Sequence, residues 1–198
     1  FYTSLNYYNQ DGITINSGLK RISGRINAEY QANDKLLIGY SGQLSSVKQR
    51  IYSEGTSYTA PFYAVVSKVN PSDPLYLEDG SFNQSFIGNG KRNPYLAMMY
   101  DSKFERVNRF MNTLWGQYEI VKDLKFKTTL SYDYMLNKAR DWADNRSSNG
   151  SASNGDLDVA FYERQNFNWA NQLTYNTTIA NDHNFDALIG YEVSDYKR

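Results

Sequence analysis

The chain has no cysteine, a single histidine, four prolines and no net charge over its 198 residues. Without cysteine there is neither a disulfide framework nor a thiolate zinc site. The lone His183 leaves no transition-metal cluster, no cofactor is implied, and a Ser-His-Asp arrangement has no second candidate base. His183 also falls in a short polar turn, where a solvated imidazole is the ordinary state. Acidic and basic residues number 21 each, so no basic surface points to nucleic acid. No run approaches the roughly 20 apolar residues of a membrane helix. That excludes a helical membrane protein but not a transmembrane barrel, whose strands are only half apolar. The chain opens FYTSLNYYNQ, without the basic start and apolar core of a signal peptide. An exported protein carrying this sequence is therefore expected to extend beyond it.

What is abundant is aromatic: 16% of the residues, including 18 tyrosines. Tyrosine suits places where one end of the ring is dry and the other wet, membrane interfaces included. The apolar residues alternate. Over Arg21 to Ser45, Ile22, Gly24, Ile26, Ala28 and Tyr30 share one face against Arg21, Ser23, Arg25, Asn27 and Glu29. After a turn at Asn33-Asp34, Leu36, Ile38, Tyr40 and Leu44 repeat the pattern. Successive strand side chains point to opposite faces, so this reads as a two-faced hairpin. Two further hairpins follow, Arg106 to Leu136 turning at Lys122-Asp123, and Phe161 to Val193 turning at Ala180 to His183. With a strand over Phe1 to Tyr8, about seven strands are predicted.

Between the hairpins lie long connections at about 9–19, 51–103 and 137–160. All four prolines (Pro61, Pro71, Pro74 and Pro94) fall in the second, consistent with strands that pair on both sides and need every N–H. That segment carries a predicted helix from Pro61 to Val69 and a small hairpin from Leu75 to Phe82 around Asp79-Gly80. The third connection, with DNRSSNGSASNGD, is polar and rich in Gly, Ser and Asn. Long and short connections alternate, and each short turn lies near a tyrosine: Tyr30, Tyr118 and Tyr175.

This pattern predicts an all-β, antiparallel, up-and-down segment of a transmembrane barrel, with short turns on one side, long loops on the other and aromatic girdles. Seven strands do not close such a barrel, where counts are even and begin at about eight. Magnitude fixes the faces: an Arg near the bilayer midplane costs roughly 2–4 kcal/mol. Arg21, Arg25, Glu29, Trp115 and Asp133, all on the polar face, are therefore assigned to the lumen. The competing expectation is a soluble or surface-attached all-β binding module, carbohydrate-binding or adhesin-like. There the apolar rows, Ile26, Ile38, Tyr40, Phe126 and Leu130 among them, would be buried between two sheets.

The segment Leu5 to Ile13, LNYYNQDGI, resembles the early barrel region of the SusC/RagA family, TonB-linked outer-membrane transporters of Bacteroidetes. The family's Tyr-x-x-Gln-x-Gly is matched from Tyr7 through Gln10 to Gly12, followed by Lys20-Arg21 and by Arg25-Ile26-Asn27. Asn70-Pro71, Pro74-Leu75-Tyr76, Asp79-Gly80 and Asn93-Pro94 resemble the family's large early outer loop. The resemblance implies a barrel of about 22 strands that holds a plug and contacts TonB-ExbB-ExbD through N-terminal parts. It implies a SusD-like surface lipoprotein partner, residence in the Gram-negative outer membrane, and import of oligosaccharides or peptides rather than enzymatic chemistry. Contact with such a ligand calls for aromatic rings that stack on sugars and polar groups that bond hydroxyls. The candidates are Tyr58, Phe62, Tyr63, Tyr76 and Phe82 in the second connection, and Trp142 and Arg146 in the third. The loop aromatics are alternatively the loop's own small core. Asp141, Asp144, Asp156 and Asp158 lack the spacing of a calcium loop and read as solvated acids.

Overall fold

The structure is a computed structural model and describes residues 1–52, 60–84, 86–89, 92–180 and 182–198. Seven strands form one antiparallel sheet in sequence order: β1 Tyr2–Asp11, β2 Gly18–Asn33, β3 Leu36–Ile51, β4 Ser102–Val121, β5 Leu124–Ala143, β6 Asp156–Ile179 and β7 His183–Lys197. The alternation read in the sequence sets the register. Ile26 of β2 faces Gly42 of β3, and Tyr40 faces Leu114 of β4. Leu114 faces Leu130 of β5, which faces Trp169 of β6, which faces Val193 of β7. One apolar face thus runs unbroken across all seven strands, and a one-residue slip anywhere would move a row to the other side.

No second layer covers that face among the described residues. Ile26, Ile38, Tyr40, Phe126 and Leu130 are each 37–50% exposed. A closed sandwich would bury them, so the sandwich expectation does not hold. The reason is topological: every strand pairs only with its sequence neighbours, and nothing folds back.

The strands are longer than the sequence punctuation suggests. The three long connections shrink to 12–17, 52–101 and 144–155, because β5 and β6 pair through Ala143 and Asp156. Polar residues such as Asn137, Lys138 and Arg140, read as loop, lie in paired strand. Ladder hydrogen bonds continue past the point where apolar alternation stops. At about 3.3 Å per residue the 20-residue β4 and β5 are about 66 Å long. Tilted by about 40° they rise about 50 Å, twice the roughly 25 Å apolar band of a barrel.

The short turns are tied to one another. The Asn33 carboxamide oxygen accepts from the Lys35 and Leu36 N–H groups at 2.9 and 3.0 Å, an Asx turn. Asp123 sits at φ 70°, a conformation Asp tolerates. Across turns, the Glu119 N–H donates to Lys35 O at 2.8 Å and the Asn176 N–H to Asp123 O at 2.9 Å.

The long connection 52–101 folds on itself. α1 spans Pro61–Ser67, within the predicted Pro61 to Val69 helix. The predicted hairpin is present as a bridge between Tyr76 and Phe82. A second helix, α2, Pro94–Tyr100, was not predicted. The buried apolar side chains among the described residues all lie here: Ala60, Ala64, Phe86, Leu96, Ala97 and Met98.

Candidate functional site

The polar face of the wall is knitted by cross-strand pairs. Ser41 donates to Asn27 at 2.7 Å, and Gln49 to Glu105 at 2.8 Å. Arg109 grips Asp133 at two points, 2.9 and 2.6 Å. A two-point guanidinium-carboxylate pair is the more directional kind. Trp115 lies flat against Gly39, where a Cβ would stand 2.1 Å from the indole, and Lys127 Nζ sits 4.8 Å from the indole centroid. Arg21 rests 5.6 Å from the ring of Tyr8. Arg25 and Glu29 line the same face two pleats apart, about 13 Å along the strand, too far to pair.

The mouth is organised by α2. Asn93 caps it, accepting from the Tyr95 N–H at 2.9 Å while donating to Asn83 O at 2.8 Å, and is itself 1% exposed. All three long connections meet this helix. Asn16 and Tyr52 both donate to Met98 O, at 3.4 and 3.2 Å. Burial pushes the Tyr52 hydroxyl up, against the pull of Arg50, so it stays a neutral donor. From 144–155, the Asp144 N–H and the Asn149 amide donate to the two oxygens of Asp101 at 2.9 and 2.8 Å. The Arg146 guanidinium stacks 3.8 Å above the ring of Tyr100 and holds Asp144 at 2.7 and 3.0 Å. Hydrogen bonds from the Arg146 side chain and N–H hold the Asp144 carboxyl well below the usual carboxylate range.

Between the connections opens a cleft of about 890 Å³, lined by Phe82, Gln84, Arg92, Leu96, Tyr100 and Arg146. A second cavity of about 320 Å³ lies lower, with Asp101, Asp141, Asp156 and Asp158 around Lys103. No cluster of three metal-ligating side chains occurs among the described residues.

Of the residues singled out in the sequence, Phe82 and Arg146 come together in the cleft. The rings of Tyr76 and Tyr95 pack against Phe82 with centroids 4.8 and 5.8 Å away. Phe62 and Tyr63 sit on α1, Phe62 exposed and Tyr63 with Lys68 Nζ 5.9 Å from its ring; neither lines the cleft. Trp142 stands apart on the apolar side of β5, over Gly155. Tyr58 lies outside the described residues. The loop's core is built from alanines, Leu96, Met98 and Phe86 rather than from the candidate aromatics.

No family model matches the chain. Over 194 residues it is 27% identical to TonB-dependent receptor P26 of Formosa agariphila, covering 96% of this chain and 19% of the relative. It is 26% identical to TonB-dependent receptor P3 of the same organism, with the same shares covered. Two solved structures share the fold: the RagAB peptide importer in its closed-closed state and the RagAB peptide transporter. Their TM-scores are 0.76 and 0.78 and their identities 21% and 20%. Each match covers 98% of this chain and 22% of the other. Along nearly its whole length the chain is similar to TonB-dependent receptors, and its sheet has the fold of the RagAB barrel.

It spans about a fifth of the length of the curated relatives it matches. Several site residues escape sequence reasoning. Arg109 is one of several polar-face cations, and only the folded sheet shows that it reaches diagonally to Asp133, which stands opposite Met111. Gln84 and Arg92 have no periodicity to mark them. Asn93-Pro94 was the available signal for α2: a capping residue before a proline at the first helical turn.

Proposed function

We propose that this chain forms wall and mouth of an outer-membrane active transporter that imports oligosaccharides or peptides with energy delivered through TonB. The observation that carries the reading is the single apolar face running across seven uncovered strands, which asks for hydrocarbon as its solvent. On this reading the short turns at Asn33-Asp34, Lys122-Asp123 and Ala180–His183 are periplasmic. Connections 52–101 and 144–155 are extracellular, where a SusD-like lipoprotein would meet them. Arg21, Arg25, Glu29, Trp115 and Asp133 face a wet lumen. The chain's part is binding and passage, with no chemical step.

Phe82 supplies a face for a sugar ring or an apolar side chain, and Arg146 and Arg92 supply forked donors for hydroxyls, carbonyls or carboxylates. The test is ligand binding to the full-length receptor carrying Phe82→Ala or Arg146→Ala. Each is expected to weaken binding by roughly tenfold, the effect of about 1.4 kcal/mol, with barrel folding intact. Unchanged affinity for the receptor's own ligand in both variants would remove the cleft as the binding site.

A further inference from the structure

The apolar face changes character on the long-loop side. Lys20, Lys48, Arg106 and Lys138 stand in one cross-strand row from β2 to β5, and all four are exposed. In the next row on the same face Arg50 and Arg140 flank Phe104. Like charges directly opposite each other destabilise a sheet. On the polar face two cations find acids, Lys103 with Asp141 at 3.7 Å and Arg109 with Asp133 at 2.6 Å. None of these six cations has an ion-pair partner among the described residues. The acids nearest in register on this face are Asp11 at the end of β1 and Glu163 beside Leu136, which accepts from Gln165 at 2.6 Å.

The row also has a cavity. Asn9, Asp11, Lys20, Lys48, Arg50 and Phe104 line a hollow of about 320 Å³. Lys48 Nζ and the Arg50 guanidinium lie 5.1 and 5.5 Å from the Phe104 ring. One Arg50 nitrogen donates to Asp101 O at 3.1 Å, while its Nε is buried with no partner. About four residues further down, roughly 13 Å, an apolar groove of about 360 Å³ opens beside Gly24, Ile26, Leu44 and Phe110, with the Tyr40 ring lying over Gly42.

We propose that this basic row binds the phosphates of outer-leaflet glycolipid headgroups, with the acyl chains lying down the apolar face towards that groove. The inference rests on the membrane-wall reading above. Continuity decides the occupant: it must present negative charge directly beside hydrocarbon, as a phosphorylated lipid does. Three cations around one hollow suit phosphate oxygens, Lys as a compact charge and Arg as a fork.

The test uses the full-length receptor in detergent, with monophosphoryl lipid A and its dephosphorylated counterpart as probes, read by native mass spectrometry. Wild type should prefer the phosphorylated lipid. The triple variant Lys20→Gln, Lys48→Gln, Arg50→Gln should bind it about a hundredfold more weakly, at about 1 kcal/mol per removed charge. Lys125→Gln with Lys127→Gln, on the polar face, should bind as wild type. Heat-modified gel mobility reports whether each variant folds. Equal binding of both lipids, or an unaffected triple variant that folds, overturns the proposal. So does protection of Lys48 from an amine reagent only when a partner lipoprotein is present. A photo-crosslinker at Leu130 separates the two readings. Failure to label lipid there sinks the membrane wall itself, whereas labelling without phosphate preference sinks only the headgroup site.

Discussion

Individual side chains in this molecule are held by what their neighbours lack. Trp115 lies flat because Gly39 has no side chain. Gly39→Ala is expected to lift the indole off the wall and away from Lys127. In a background where Trp142 and Trp169 are phenylalanine, the emission of Trp115 should change while strand pairing survives, the overpacking costing about 1–3 kcal/mol. Unaltered emission would show that the indole is not seated there. Asp144 yields a pH dependence. Its carboxyl is held below the usual range by Arg146, so the contact's contribution is fully present above the ordinary carboxylate pKa of about 3.9. It is lost as pH falls below that towards the depressed value. Proteolysis of 144–155 should therefore be flat from pH 8 to 5 and rise only below about pH 4. In Arg146→Ala the contact is gone at every pH, so proteolysis should be faster throughout and its rise below about pH 4 should shrink.

At the scale of elements, the strands were legible and the mouth was not. Period-two alternation marked the phase of every strand, down to Trp115 falling on the polar side and Phe167, Trp169, Leu173 and Tyr175 sharing a face. Strand ends were misjudged because Lys138 and Arg140 look like loop, yet their backbones pair as well as any other. α2 was missed because PYLAMMY is short and apolar almost throughout, so no period shows. Its position depends on partners distant in sequence, such as Asn16 and Tyr52. The capping residue is the weak point of that helix. Asn93→Ala should cost about 1 kcal/mol for the cap and also removes the donor to Asn83 O. Hydrogen exchange of residues 94–100 should rise sharply, with β4 and β5 unchanged. Uniform exchange across all three elements would mean that α2 is not a separate unit.

Over the whole molecule the two faces of the sheet ask for different surroundings. Leu130→Arg, on the apolar face, should lower the stability of the vesicle-inserted receptor by roughly 2–4 kcal/mol if it lies near the midplane. Its neighbour Ser131→Arg, on the polar face, should cost about 1 kcal/mol, the worth of its contact with Thr113 at 3.2 Å. Equal penalties for the two would contradict a wall with lipid on one side and water on the other. The distribution of buried apolar side chains carries the point further. They gather between Ala60 and Met98, and among the described residues the seven strands contribute none. The mouth is therefore a small water-driven fold, whose cohesion follows the heat capacity and denaturant sensitivity of any hydrophobic core. On the membrane-wall reading proposed above, the wall draws on hydrocarbon for the same service. Two solvents thus govern one chain, and it should come apart in two ways. Urea applied to intact vesicles is expected to loosen the loops over a standing sheet, and delipidation to fray the sheet beneath loops that still hold their knot.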